Sequence, residues 1–453
     1  MTQEAAASRI TATLAHQVHT LRLADVPERA RHAALRALVN IVGCCVGGAR
    51  HVIVETAAHT LLPYAGRPTS GLLGRPEQTD ALTASLLNAL SSAAYSFDDT
   101  HAETILHPTG VVVAALLAHA GHTPVRGDDF LLALTLGVDV ASRISKAVSM
   151  APAQGPIGWS QTGIAAGIGA AAAMAKVLQL DANRTGWAIG HAVQQASGLR
   201  VAHGSMAATL IFGNAAQGGL RSALLARHGL SGPDAPLEGR YGFAELFASV
   251  PHLAYLTDGL GERFEVEALA YKPYPCGIVI HPAVDAALDC RTRQRPGDSI
   301  AAVRLRVHPS ALALGFCRHP ADPLQAKVSL YHWTAVALAT GRAGLAEGGS
   351  QGIDDPEIVR LRGLIEVEAD TQLTPEAASL IVTHANGHQC MAEVAQCKGS
   401  VANPMTDADL EAKFHGQARL SLPPEAAAAL LHACWTVEQM DNVADLVALA
   451  HAG

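Results

Sequence analysis

Charge is scarce in this sequence. Only 16% of its 453 residues are Asp, Glu, Lys or Arg, against 49% hydrophobic, and the net charge is −8. No basic run occurs. Binding a phosphate backbone needs clustered Lys and Arg, so nucleic acid is not an expected partner. Aromatic residues make up 4%, too few for platforms that stack bases. The eight cysteines contain no Cys-x-x-Cys pair. Cys44 and Cys45 are adjacent in an apolar stretch and the other six are scattered, which reads as buried, reduced thiols. No charged-then-apolar leader opens the chain, so a cytoplasmic location is expected. A membrane span is not expected either. The most apolar stretch, Ile164 to Leu178, is mostly Gly and Ala with Lys176 inside it.

What is present is a great deal of helix. The length exceeds one ordinary core and predicts two domains. Apolar residues at helical spacing predict helices over Ala5 to His16, over a run opened by Asp25-Val26-Pro27-Glu28, over 51–65, and over most of 81–230. Small residues recur at Gly163, Gly167, Gly169 and Ala170 to Ala173. They predict a helix squeezed between neighbours at the centre of a bundle. Near 265 the pattern changes. Ile300 to Val307 and Gly363 to Ala369 read as strands, and Asn386-Gly387 signals a hairpin between two more. Helical patterning returns after Asn403-Pro404. So much apolar helix with so little charge predicts a buried subunit interface, and hence a homodimer through the helical part.

Polar residues concentrate in one place. Ser96 to Gly110 holds Asp98, Asp99, Thr100, His101, Glu103 and His107 between two apolar helical runs. Pro108 suits the first position of the second helix, which puts His107 at the N-cap. The positive end of the helix dipole disfavours an imidazolium there and keeps the ring available as a general base. Asp99, in the same loop, is expected to accept from the other ring nitrogen and fix the tautomer. For an isolated motif a purely structural reading, with Asp98 and Asp99 as helix caps and His107 satisfying a turn, is the simpler account. Two further stretches are loop-like leads into apolar helices. One is Trp159-Ser160-Gln161-Thr162, whose helix start suits a carboxylate ligand. The other is His203-Gly204-Ser205-Met206.

Asp98-Asp99-Thr100-His101 followed by His107-Pro108 resembles the MmgE/PrpD family. That family includes 2-methylcitrate dehydratase, cis-aconitate decarboxylase and iminodisuccinate epimerase. Gly158-Trp159-Ser160-Gln161-Thr162-Gly163, Gly213-Asn214-Ala215-Ala216-Gln217, and Tyr271-Lys272-Pro273-Tyr274-Pro275-Cys276 with His281 extend the resemblance. So do Ala326-Lys327-Val328-Ser329-Leu330, Asn403-Pro404-Met405 and Lys413-Phe414, in the family's order along nearly the whole chain. The resemblance implies a mostly α protein. A large all-helical domain of residues 1–267 and 403–453 would carry an inserted α+β domain, 268–402, with an antiparallel sheet.

It also implies acid–base chemistry on a small carboxylate substrate at a site between the two domains, with no metal and no cofactor. The expected catalytic residues are His107, Asp99, Lys272 and Tyr274. The expected substrate contacts are Asp98, Thr100, His101, Trp159, Ser160, Gln161, His203, Met206, Cys276 and His281. Four positions depart from the family pattern. Ser96 stands where the decarboxylases have an acid, Ser160 for a histidine, Ala208 for a lysine, and Leu312 near a tyrosine. Two explanations follow. Either the chain is a lyase (dehydratase or decarboxylase) or an epimerase with an altered substrate, or it is a non-catalytic homologue kept for binding or assembly. A metal site from His101, His107 and Asp98 or Asp99 has suitable ligand types but no helix-register histidine pair.

Overall fold

A computed structural model describes residues 9–451, apart from 296 and 348. It is mostly α-helical, with helices from Ile10–Thr20 to Ala444–Leu449, a four-stranded sheet and two short two-stranded pairs among the described residues. The first helix is Ile10–Thr20; the expected start at Ala5 lies outside the described residues. Asp25 does not cap the next helix. It bonds Arg22 in a short turn, and Pro27 sits at the N-cap of Glu28–Gly48. No single helix among the described residues is long and apolar enough to cross a membrane.

Two hydrophobic clusters form the interior. The larger draws on residues from Leu14 to Tyr271 and again from Met405 to Ala450. The smaller draws on Cys276 to Ala392. The tail joins the larger cluster because helix Asp407–Ala418 lies along helix Glu28–Gly48. Two glycines make that approach possible. A Cβ at Gly43 would meet Phe414 at 3.0 Å, and one at Gly47 would meet Gln417 at 2.9 Å.

The helices flanking the polar loop form for clear reasons. Asp80 caps Ala81–Ala93, its carboxylate accepting from the N–H groups of Leu82 and Thr83. Thr109–Ala120 has no polar face and all of its residues are buried. The polar loop between them is therefore held from both sides by elements that cannot move outward without exposing apolar surface.

The sheet around the smaller cluster has the strand order 365–369, 300–307, 378–384, 389–394. Three of its strands pair antiparallel, as expected. The edge strand Ile365–Ala369 instead runs parallel to Ile300–Val307. The helices between these strands, Leu330–Thr340 and Pro356–Leu364, supply the crossover that a parallel pair requires. The Asn386-Gly387 hairpin forms, with Gly387 at a φ of 83°.

Candidate active site

The loop's geometry is set at its ends. Ser96 and Ile105 both adopt left-handed backbone conformations, with φ of 53° and 57°. For a β-branched residue such as Ile105 this is strained, and strain of this kind persists only where the surroundings impose it. Here they do. Thr100–His101 pairs antiparallel with Leu269–Ala270, and His101 bridges back to Leu106. That pairing brings the segment carrying Lys272 against the loop.

His107 lies one residue before the cap: Pro108 is the N-cap of Thr109–Ala120, not its first residue. The His107 backbone N–H donates to Thr162 Oγ1 at 3.0 Å. Three oxygens surround His107 Nδ1. They are Asp99 O at 2.9 Å, Asp98 Oδ2 at 3.1 Å and Thr100 Oγ1 at 3.2 Å. A carbonyl and a carboxylate can only accept, so Nδ1 carries the proton and Nε2 is the basic nitrogen. The carboxylate facing the ring is that of Asp98, not of Asp99. Asp98 Oδ2 lies off the N–H line and makes no hydrogen bond, so the contact is electrostatic.

Asp98 is anchored from behind by Lys272, whose Nζ is 3.4 Å from Oδ1 and donates to Ser96 O at 3.2 Å. Burial alone would raise the Asp98 carboxyl, but Lys272, and then His107, hold it well below the usual carboxylate range. Asp99 points the other way. It accepts from Thr109 Oγ1 at 2.7 Å, and burial pushes its carboxyl up to about 6. Lys413, from the C-terminal tail, donates to Asn40 and to Phe97 O behind this layer.

His107 opens onto a cavity of about 110 Å³. Asp98, Ser160, Gln161 and His203 line it too, together with Ser96 and Ala208. His203 stays exposed to solvent at the rim of the cavity. The remaining expected residues are elsewhere. Thr100 and Asp99 stand behind His107. His101 is buried and faces Glu265, with Nε2 3.0 Å from Oε2. Trp159 packs edge-on against Phe247 at 5.0 Å, and Met206 is exposed on the surface.

Lys272 is buried on Asp98 rather than placed on the cavity wall. Tyr274 donates to Asp285, and burial raises its hydroxyl out of any useful range. Cys276 is buried, which pushes its thiol up. His281 is buried edge-on against Tyr274, and burial followed by Lys272 lowers it to about 3. Leu312 packs on the smaller cluster and does not line the His107 cavity.

Two cations on the wall were not singled out from sequence. Lys327 donates to Ala94 O, and burial brings its ammonium down to about 8. Arg200 lines the cavity with Nη1 buried and, among the described residues, without a hydrogen-bond partner. Lys327 sits in the quoted Ala326-Lys327-Val328 run and Arg200 in the glycine-dotted loop. A lone charge in each apolar context was the available signal. A larger cavity of about 840 Å³ lies on the far side of Ile105, lined by Glu103, Lys146 and Glu265 among others. It contains neither His107 nor Asp98, so size alone does not mark the chemistry.

The comparisons with known proteins identify the family. A family model described as MmgE/PrpD N-terminal domain matches residues 12–255, and one described as MmgE/PrpD C-terminal domain matches 274–438. Cis-aconitate decarboxylase of Homo sapiens is 24% identical over 457 residues, covering 97% of this chain and 94% of that protein. Cis-aconitate decarboxylase of Aspergillus terreus is 28% identical over 295 residues, covering 62% of this chain and 60% of that protein. With both family models placed in order along the sequence, the chain belongs to the MmgE/PrpD family.

Proposed function

We propose that this chain is an acid–base lyase acting beside a carboxylate of a small dicarboxylic acid. The observation that carries the reading is His107. Its Nδ1 is fixed by oxygens on one side, and its ring faces a cavity bearing Arg200 and Lys327. Among the described residues the one acid on that wall is Asp98, already balanced by Lys272, so the cavity favours an anion. At about 110 Å³ the space is well below the roughly 300 Å³ at which ordinary ligand pockets begin, which favours a small acid. Arg200 and Lys327 would each hold one carboxylate, replacing the cation that Ala208 does not supply.

His107 Nε2 then exchanges a proton with the carbon beside a carboxylate. In elimination it takes that proton, the electron pair forms the double bond, and the β-hydroxyl departs as water on taking up a proton from the protonated His107 or from solvent. In decarboxylation the carbon–carbon bond to the departing carboxylate breaks and its electron pair stays on the carbon, which takes a proton from His107 Nε2 after that nitrogen has first taken one up from solvent. The relatives that are cis-aconitate decarboxylases support the second course. The two cations on the wall and the oriented His107 favour an enzyme over a binding homologue.

The test is a panel of small di- and tricarboxylates followed by proton NMR in deuterium oxide. New olefin signals or loss of carbon dioxide are expected. Solvent deuterium entering without a new product would point to an epimerase, and no turnover of any acid to a binding protein. On the active substrate, His107→Ala should lower turnover by about 10²–10⁴-fold with the fold intact. Near-native turnover in that variant would remove His107 from the proton transfer.

A further inference from the structure

A second cluster of ligand-type side chains lies at one end of the sheet, away from the His107 cavity. We propose that Asp298, His384 and His388 form a zinc site that ties the hairpin of the sheet to the segment entering its central strand. His384 ends strand Ala378–His384, and His388 follows the Asn386-Gly387 turn. Asp298 precedes strand Ile300–Val307, whose first residue is the register partner of His384. The sheet's own pairing therefore brings an acid from one connection beside two histidines of another.

Two independent observations point to a ligand. Ligating atoms of the three residues lie within 4.8 Å of one another. In addition, among the described residues each keeps one buried atom without a hydrogen-bond partner: Asp298 Oδ2, His384 Nδ1 and His388 Nδ1. His384 is only 3% exposed, so an unpaired ring nitrogen there is costly unless something else meets it. The other Asp298 oxygen accepts from Asn386 Nδ2 at 2.8 Å, which orients the carboxylate as outer partners of metal ligands do. Two imidazoles and a carboxylate suit zinc, with water completing a tetrahedron. Ligand atoms about 2.0 Å from zinc are roughly 3.3 Å apart, so small side-chain rotations would close the site.

A rival cluster, His101, Glu103 and Glu265, fits a metal less well. Lys146 Nζ already sits 2.8 Å from Glu265 and 3.8 Å from Glu103, supplying the positive charge. None of the three proposed ligands lines the His107 cavity, so the role assigned to zinc is structural.

The experiment titrates zinc into chelator-treated full-length protein in competition with a chromophoric chelator, and follows thermal unfolding with and without zinc. One equivalent should bind and raise the melting temperature. His388→Ala, at a partly exposed position, and Asp298→Asn should each weaken binding about tenfold or more and remove the zinc-dependent shift. Circular dichroism checks that the variants fold. Binding that survives both variants, or is lost instead in Glu103→Gln, overturns the proposal. So does the absence of any binding by the unaltered protein.

Discussion

At the scale of single residues, the site is an arrangement of a few charges that neutralise one another unequally. Lys272 is spent on Asp98, and Asp98 steadies the Nδ1 side of His107. Arg200 and Lys327 are left facing the cavity. This division makes a pH prediction. Burial lowers the Lys327 ammonium from an ordinary value of about 10.4 to about 8. Below about 8 it is charged and can hold a carboxylate; above, the proton leaves and binding weakens.

The ratio kcat/KM should therefore fall as pH rises through about 8. Arginine stays protonated throughout, so Lys327→Arg should move that limb upward. Lys327→Met should lower kcat/KM across the range and abolish the limb. A limb that stays in place in Lys327→Arg would assign it to another group, such as Lys413, which burial also lowers to about 8. The acids and histidine of the loop were readable from sequence because they interrupt an apolar context. Which acid faces His107 was not, because adjacent residues in an irregular loop point in directions set only by the backbone path.

At the scale of elements, the small-residue helix expected from sequence is present and is divided in two. Thr162–Ala166 is wound as a π-turn that passes into α-helix Gly167–Val177. Such turns concentrate at functional sites, and here Thr162 both lines the cavity and accepts from the His107 backbone. Gly169 marks where this helix crosses Gly127–Ser149. A Cβ there would lie 2.3 Å from Gly137 O and 2.7 Å from the Ala141 Cβ.

Alanine favours helix over glycine by about 1 kcal/mol, while overpacking costs about 1–3 kcal/mol. A backbone carbonyl cannot step aside alone, so the second effect wins. Gly169→Ala should destabilise the protein by about 1–2 kcal/mol in urea unfolding. Gly416→Ala, in helix Asp407–Ala418 with nothing within 4 Å of its Cβ, should stabilise by up to about 1 kcal/mol. A stabilising Gly169→Ala would mean the helices can separate at no cost.

At the scale of the whole molecule, the surface retains large apolar side chains. Val201 is 88% exposed, Ile157 66% and Tyr241 66%, all on the part of the chain that belongs to the larger cluster's sequence range. Burying them against a second copy would follow from the area dependence of hydrophobic association. Light scattering at micromolar concentration should then give twice the 46.9 kDa chain mass. A monomer mass would count against this, and substitution of Val201 by Glu should shift a dimer toward monomer.

Periodicity and composition by themselves determined that the chain is mostly helical, that Ile300–Val307 is a strand, and that a hairpin turns at Asn386-Gly387. These are local properties, in which spacing along the chain decides which face is buried. The family motifs determined where polar chemistry gathers. Only the tertiary structure decided the parallel edge strand, the turning of His101 toward Glu265, and the choice of Asp98 over Asp99. It alone brought Arg200 and Lys327 to one wall and Lys413 from the tail beneath the loop. Each of those depends on segments far apart in sequence meeting around a buried charge. Where the charge ends up follows from which partners can reach it, and no pattern read along one strand or helix contains that information.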